Sequence, residues 1–158
     1  MIRKKILLLG DFNVGKTSLI RRYIDNTFDD RYLTTIGVKI SKKILELHGL
    51  ECELLIWDVE GATPRKSIAS SYMKGASGAI FVCDVGRSET MESLDEHIKT
   101  FLALNPNAHY VIAYNKSDLL SVQQKEALEL SGNTFLTSAK NASNVEILFT
   151  TLAKEMLL

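Results

Sequence analysis

The sequence predicts an α/β fold: a doubly wound, mostly parallel six-stranded sheet with one antiparallel edge strand and about five helices. Short apolar runs rich in β-branched residues alternate with segments in which apolar residues recur at helical spacing. Four of these runs are continuously hydrophobic, which is typical of parallel strands covered on both faces. The segment 38–47 is more polar and precedes the turn His48-Gly49, which indicates an antiparallel edge hairpin.

The elements follow in chain order. We expect the first strand at 6–9, the first helix at 18–24, and an edge hairpin that pairs 38–47 with 51–57. Later strands are expected at 79–83, 110–114 and 135–137. Two helices are indicated by apolar residues at helical spacing, which are Met91, Leu94, Ile98, Phe101 and Leu102, and then Val145, Leu148, Phe149, Leu152 and Met156.

A further helix is predicted from its boundary signals. Ser121 to Gln124 has the form of a capping box ahead of the apolar residues Ala127, Leu128 and Leu130, and Ser131-Gly132 is a stop. The order β-α-β-β-α-β-α-β-α-β-α results for the whole chain. In such folds ligands bind at the carboxyl ends of the strands.

Composition limits the function classes. The 158 residues contain 19 Lys and Arg against 19 Asp and Glu, so the formal net charge of zero argues against nucleic-acid binding. No apolar stretch approaches the ~20 residues of a membrane helix, and the sequence lacks both common lipidation signals. Cys52 and Cys83 are expected as buried thiols. We therefore expect a single cytoplasmic domain over residues 1–158, without an intrinsic membrane segment.

Residues 10–17, Gly-Asp-Phe-Asn-Val-Gly-Lys-Thr, fit the phosphate-loop pattern G-x-x-x-x-G-K-[ST] between a predicted strand and a predicted helix. The glycines allow successive backbone N–H groups to turn around phosphate oxygens at a helix N-terminus, where the helix dipole favours anions. Lys16 would bridge the β- and γ-phosphates, and the Thr17 hydroxyl would ligate Mg²⁺. The predicted nucleotide contacts of this segment are Asn13, Val14, Gly15, Lys16, Thr17 and Ser18.

Two later segments indicate the base. Asn115-Lys116-Ser-Asp118 directly follows the strand 110–114, and the Asp118 carboxylate can accept from both the N1–H and the exocyclic amine of guanine. Adenine offers no such pair of donors. The backbone amides of Ser138, Ala139 and Lys140 follow the next strand and can reach the guanine O6. Each segment alone is a weak signal, but the two follow successive strands in order. Together they predict a guanine site that includes Asn115, Lys116 and Asp118.

The segments 10–17, 35–38, 57–61, 115–118 and 138–140 resemble the five guanine-nucleotide motifs of the Ras-superfamily small GTPases, in order and over essentially the whole chain. The segments Thr35-Ile-Gly-Val and 68–75 resemble the switch segments of the Rab branch. The resemblance implies a P-loop NTPase fold of the small G-protein type, which binds GTP and GDP with Mg²⁺ and hydrolyses GTP to GDP.

The resemblance also implies residue roles. Thr35 would bind Mg²⁺ and the γ-phosphate, Asp58 would hold Mg²⁺ through water, and Gly61 would donate its N–H to the γ-phosphate. The metal site would then comprise Thr17, Thr35 and Asp58, and the catalytic residues would be Lys16, Thr35 and Gly61. Phe28 would lie against the guanine, although the residue alone reads as a core aromatic.

Partner binding is implied at two loops. Effector or regulator proteins would engage the switch loops 25–38 and 59–72, which the γ-phosphate and Mg²⁺ would order. Ile40, Trp57 and Tyr72 match approximately the apolar triad through which Rab-like proteins engage effectors. Trp57 reads equally well as an ordinary core residue.

Several positions depart from the family where hydrolysis is controlled. Ala62 stands where the family has a water-orienting Gln, and Phe12 stands where a small residue faces the γ-phosphate. We therefore expect slow hydrolysis. The alternatives are that Phe12 swings outward and a partner supplies the missing group, or that the protein is a GTP-binding interaction module that scarcely hydrolyses. A P-loop kinase or ATPase is disfavoured by the segment 115–118.

Two charged residues add open alternatives. Glu60 replaces a small residue and either points to solvent or orients water in place of the missing Gln. Arg31 either acts as an arginine finger in cis or points to solvent.

Overall fold

A computed structural model describes residues 1–29 and 35–157. Its six-stranded sheet has the strand order β2-β3-β1-β4-β5-β6, in which β2 is antiparallel to β3 and the other neighbouring strands are parallel. The predicted fold class, with its antiparallel edge strand, is confirmed. The strands are β1 Ile2–Gly10, β2 Val38–Leu47, β3 Leu50–Val59, β4 Gly78–Asp84, β5 His109–Asn115 and β6 Thr134–Leu136.

Helices cover both faces of this sheet. They are α1 Lys16–Asp25, α2 Ser70–Met73, α3 Ser88–Glu92, α4 Leu94–Leu104, α5 Val122–Glu126 and α6 Val145–Leu157, with a 3₁₀ turn at Ser117–Leu119. One apolar core lies between the sheet and α1 and α6, where Tyr23 stacks on Phe149 with ring centroids 4.0 Å apart. A second core lies on the opposite face, where Phe81 meets the edge of Phe101 at 5.7 Å. The two cores explain why every residue of β4 is buried.

Two helices differ in length from the prediction. The capping box at Ser121 is present, but α5 ends at Glu126 instead of reaching Ser131-Gly132. None of its residues is buried, and a short helix without a packed face has little to extend it. The helix expected around 91–102 is divided at Ser93 into α3 and α4. The Ser93 hydroxyl donates to the Asp11 carboxylate at 2.6 Å, so this break attaches the helix to the segment after β1.

The topology brings the predicted motifs together. The carboxyl ends of the parallel strands β1, β3, β4, β5 and β6 lie at one edge of the sheet, and four of the five candidate motifs lie at or directly after one of these ends. The fifth, 35–38, reaches the same edge because it leads into the antiparallel strand β2, where Val38 is opposite Val59 at the end of β3. Residues far apart in the chain therefore surround one cleft. Within residues 1–29 and 35–157, no helix is both long enough and apolar enough to cross a bilayer.

Candidate functional site

A cavity of about 290 Å³ lies at this edge of the sheet. The residues predicted to contact nucleotide or metal line it with two exceptions, Val14 and Ser138. Sequence reasoning did not assign Asp29, Val59 or Leu119 to the site, although they line it as well. Leu119 could have been assigned to the site from the sequence, because it directly follows Asp118. The described residues that line the cavity are Phe12, Asn13, Gly15, Lys16, Thr17, Ser18, Phe28, Asp29, Thr35, Asp58, Val59, Gly61, Asn115, Lys116, Asp118, Leu119, Ala139 and Lys140.

Val14 and Ser138 lie behind the cavity wall. Val14 is fully buried in the first core, and its carbonyl accepts from Asn115 Nδ2 at 2.9 Å. Ser138 is also fully buried, and its hydroxyl donates to Asp118 Oδ1 at 2.7 Å. Their side chains therefore hold the phosphate loop and the Asp118 carboxylate in place.

The phosphate loop turns into helix α1 through left-handed backbone conformations. Asn13 has φ 63° and Gly15 has φ 100°, and no side chain caps the N-terminus of α1. Left-handed residues in such a loop direct successive N–H groups into an anion-binding concavity. Gly15 is also required sterically, because a Cβ there would lie 2.4 Å from Asn115 Nδ2. The loop and the segment after β5 thus pack against each other without room for a side chain.

Lys16 is buried at the floor of this loop, with 6% of its surface exposed. Its ammonium group donates to the Asp11 carbonyl at 3.2 Å. Burial lowers the pKa of Lys16 to about 8, against the opposing attraction of Asp58 and Asp11. A buried ammonium with so little compensation is well suited to receive an anion.

The three residues predicted to bind metal meet at Asp58. Thr17 and Thr35 donate to Asp58 Oδ2 at 2.7 and 3.1 Å, and their hydroxyl oxygens are 2.6 Å apart. Asp58 Oδ1 is buried and finds no hydrogen-bond partner among the residues described. Burial raises the pKa of this carboxyl group, although the bonds from both hydroxyls oppose the shift. The orphaned oxygen is a position that a cation would satisfy.

The donor set at Asp58 fits Mg²⁺. All its donor atoms are oxygens, which this hard cation prefers, and a single carboxylate with bound phosphate is a usual arrangement for it. In the described ranges, no group of three His, Cys, Asp or Glu side chains offers a site for a softer metal.

The other end of the cavity is formed by the segment after β5 and by Phe28. Asn115 is almost fully buried, and its Oδ1 accepts from Thr137 Oγ1 at 3.1 Å. Lys116, in a left-handed conformation, donates to the Asn13 carbonyl at 3.0 Å. Phe28 packs against the first core and also lines the cavity.

The beginning of the segment 59–72 is hydrogen-bonded to the phosphate loop. The Ala62 N–H donates to the Gly10 carbonyl at 3.1 Å, and the Phe12 N–H donates to the Ala62 carbonyl at 2.8 Å. Gly61 lies so close that a Cβ would be 2.7 Å from Phe12 Cα. Ala62 lines a second cavity, beside helices α3 and α4, and Phe12 lines both cavities. This contact fixes the backbone on both sides of the position where the family has Gln.

Glu60 joins two segments predicted as switches. Its carboxylate accepts from the Gly37 N–H at 3.3 Å and from Lys66 Nζ at 3.0 Å, and its own N–H donates to the Gly37 carbonyl at 2.8 Å. The bonds from Lys66 and then Gly37 lower the pKa of Glu60. The side chain is thus neither free in solvent nor part of the nucleotide cavity lining.

The structure places two residues of the predicted apolar triad side by side, and packs two of the three against the second core. Ile40 is the cross-strand partner of Trp57 and is half exposed. Trp57 and Tyr72 are partly buried against the second core, and Lys5 Nζ lies 3.7 Å from the centre of the Trp57 ring. Trp57 therefore combines a core contact with a place beside an exposed isoleucine. Arg31 lies outside the described residues.

The sequence was compared with models of known protein families. A model described as the Ras family matches residues 5–158.

Proposed function

This chain belongs to the Ras family of guanine-nucleotide-binding switch proteins, and on that premise we propose that it is a Rab-like, Mg²⁺-dependent GTPase that hydrolyses GTP slowly. One observation carries the proposal: the phosphate loop, the Thr17–Thr35–Asp58 cluster and Asp118 all face a single cavity. We further propose that residues 1–158 act as one cytoplasmic domain.

The residue roles follow from the geometry of the cavity. The phosphates would lie on the N–H groups of residues 13–18, with Lys16 as their buried cation. Thr17 and Thr35 would hold Mg²⁺ directly and Asp58 through water, and the ion would supply positive charge to the phosphate oxygens. Gly61, which lines the same cavity, would offer its N–H to the γ-phosphate. Asn115, Lys116, Asp118 and the amides of residues 138–140 would hold the guanine, with Phe28 against its ring.

Asp118→Asn is expected to change base preference. The carboxylate accepts two hydrogen bonds from guanine, whereas an amide would accept from the N1–H of xanthine and donate to its O2. The Ser138 hydroxyl, 2.7 Å from Asp118 Oδ1, would hold either side chain in place. We expect GDP affinity to fall and xanthosine diphosphate affinity to rise, each by at least tenfold, in competition against a fluorescent nucleotide. Asp95→Asn, an exposed change on α4, is the matched control. An unchanged base preference would remove Asp118 from the site.

Slow hydrolysis is proposed from Ala62 and Phe12. The Ala62 side chain has no group that can orient water, and Phe12 lines the same cavity as Gly61. We expect Phe12→Gly combined with Ala62→Gln to hydrolyse GTP at least tenfold faster than the wild type in single-turnover assays. The bonds between the Phe12 and Ala62 backbones do not depend on either side chain, so the loop can keep its shape. A wild-type rate equal to that of the double variant would contradict the proposal.

The contact between Ala62 and the phosphate loop favours a second candidate function. A second switch whose start is bonded to Gly10 and Phe12 has less freedom to respond to hydrolysis. The protein would then be a GTP-binding interaction module that scarcely hydrolyses and presents the surface around Ile40, Trp57 and Tyr72 to a partner. This function would be favoured if neither the wild type nor the double variant hydrolysed bound GTP over many hours.

A further inference from the structure

Arg87 contacts the phosphate loop and lines the second cavity, beside α3 and α4. It lies between β4 and α3, and its Nη1 donates to the carbonyl oxygens of Phe12 at 3.0 Å and Asn13 at 3.2 Å. Arg87 is not among the residues that line the nucleotide cavity. Its hydrogen bonds to the loop are with backbone groups.

The Asn13 carbonyl receives a second cation. Lys116 Nζ donates to it at 3.0 Å, so two positive side chains converge on one peptide group. Asp84 is their common counter-ion, with its Oδ2 3.0 Å from Lys116 Nζ and 3.9 Å from Arg87 Nη1. The Asp84 side chain is 5% exposed, whereas those of Lys116 and Arg87 are 31% and 35% exposed, so one buried carboxylate faces two partly exposed cations.

The other carboxylate near Arg87 compensates little. Glu89 Oε1 lies 3.3 Å from Arg87 Nε, but the Glu89 side chain is 67% exposed. An ion pair with so exposed a partner is screened by solvent and contributes little. Arg87 itself is 35% exposed, and its Nη1 is directed to the loop carbonyls. The positive charge of Arg87 is therefore held beside the phosphate loop, where its Nη1 donates to two carbonyls.

Hydrogen bonds to these carbonyls affect the N–H groups of the same peptides. The Phe12 carbonyl shares its peptide group with the Asn13 N–H, and the Asn13 carbonyl shares its peptide group with the Val14 N–H. A cation on the carbonyl polarises the peptide and makes its N–H a stronger donor, because linked hydrogen bonds reinforce one another. The left-handed φ of Asn13 places these N–H groups in the anion-binding part of the loop.

We propose that Arg87 is a positioning residue for the nucleotide phosphates, acting through the Phe12 and Asn13 carbonyls in concert with Lys116. The ligand class is a guanosine di- or triphosphate, so this inference rests on the proposed function. Arg87 strengthens the donors that face the phosphates and adds positive charge behind them, without contacting the nucleotide.

The test compares a ligand with phosphates and one without. GDP and guanosine are competed separately against a fluorescent GDP on the wild type, Arg87→Gln and Arg87→Lys. Arg3→Gln is the matched control, since Arg3 pairs with Glu53 at the opposite end of the sheet. The ³¹P resonances of bound GDP provide a second readout, and melting of the nucleotide-free protein reports on folding.

We expect Arg87→Gln to weaken GDP binding about tenfold while guanosine binding changes less than twofold. The Arg87→Lys variant should recover part of the loss because it restores the charge but not the geometry of a guanidinium. The resonance of the β-phosphorus should move more than that of the α-phosphorus, and Arg3→Gln should resemble the wild type.

Five results would overturn the inference. Equal losses for GDP and guanosine would mean a structural role, and so would a GDP loss that Arg87→Lys does not reduce. An unchanged GDP affinity in Arg87→Gln would remove any role. If the wild type bound GDP no more tightly than guanosine, this inference alone would be overturned. If it bound neither compound, the proposed function would be overturned as well.

Discussion

Gly15→Ala is expected to lower GDP affinity about a hundredfold. The new Cβ would lie 2.4 Å from Asn115 Nδ2, and Asn115 cannot withdraw easily because it is 1% exposed. It must give up its hydrogen bond to the Val14 carbonyl, the one to Thr137, or both. Loss of such buried hydrogen bonds costs roughly 1–3 kcal/mol each. The same movement separates the phosphate loop from the segment that holds the base.

Gly49→Ala is the control for this substitution. Gly49 has φ 78°, similar to the 100° of Gly15, but a Cβ there meets no atom within 4 Å. Both variants carry the strain of a left-handed alanine, roughly 1–2 kcal/mol. GDP dissociation rates and melting temperatures measured on both separate strain from the contact with Asn115. If Gly49→Ala weakened GDP binding as much as Gly15→Ala, backbone strain alone would explain the loss.

Asp58→Asn should abolish most of the effect of Mg²⁺ on nucleotide release. Asp58 Oδ1 is buried and has no partner in the described part of the chain, and its Oδ2 already accepts from Thr17 and Thr35. An amide keeps the size of the side chain but removes the charge that attracts the cation. Loss of an outer ligand of this kind costs about 10–100-fold in metal affinity. In a Mg²⁺ titration, a correspondingly higher Mg²⁺ concentration should therefore be needed to slow GDP dissociation.

The nucleotide-free protein gives a second readout for Asp58→Asn. Because the substitution removes a desolvated charge, its melting temperature should be no lower than that of the wild type. Asp95→Asn, on the exposed face of α4, is the isosteric control and should leave both readouts unchanged. A variant that melts lower and keeps its Mg²⁺ dependence would mean that Asp58 is structural.

The sequence identified most of the cavity because its residues follow strand ends. The alternation of apolar runs and helical stripes predicted a parallel sheet, and parallel strands present their carboxyl ends at one edge. Lys16, Thr17, Asn115 and Asp118 therefore had to lie near one another once the fold class was correct. The sequence did not show which motif residues line the cavity and which are buried behind it, as Val14 and Ser138 are. Which of two neighbouring side chains enters a core depends on packing that the motif does not encode.

The charged residues near the site illustrate what local patterns miss. The sequence indicates that Glu60 either points to solvent or orients a water molecule. In the structure its carboxylate accepts from the Gly37 N–H and from Lys66 Nζ. Arg87 received no role from the sequence, since an arginine after a strand has no characteristic pattern, yet it bonds with two carbonyls of a loop 74 and 75 residues away. Such contacts depend on the positions of elements in space, and they have no sequence spacing to recognise.

The sequence by itself determined the class of fold, the phosphate loop and the residues that would select guanine, because hydrophobic periodicity and short motifs are local properties of the chain. Only the tertiary structure decided that Glu60 binds Gly37, that Ala62 is bonded to the phosphate loop, and that Arg87 donates to two carbonyls of that loop. The physical reason is that these contacts join segments that are far apart in the chain. Their geometry is set by sheet order and by the packing of two cores, which no single segment contains.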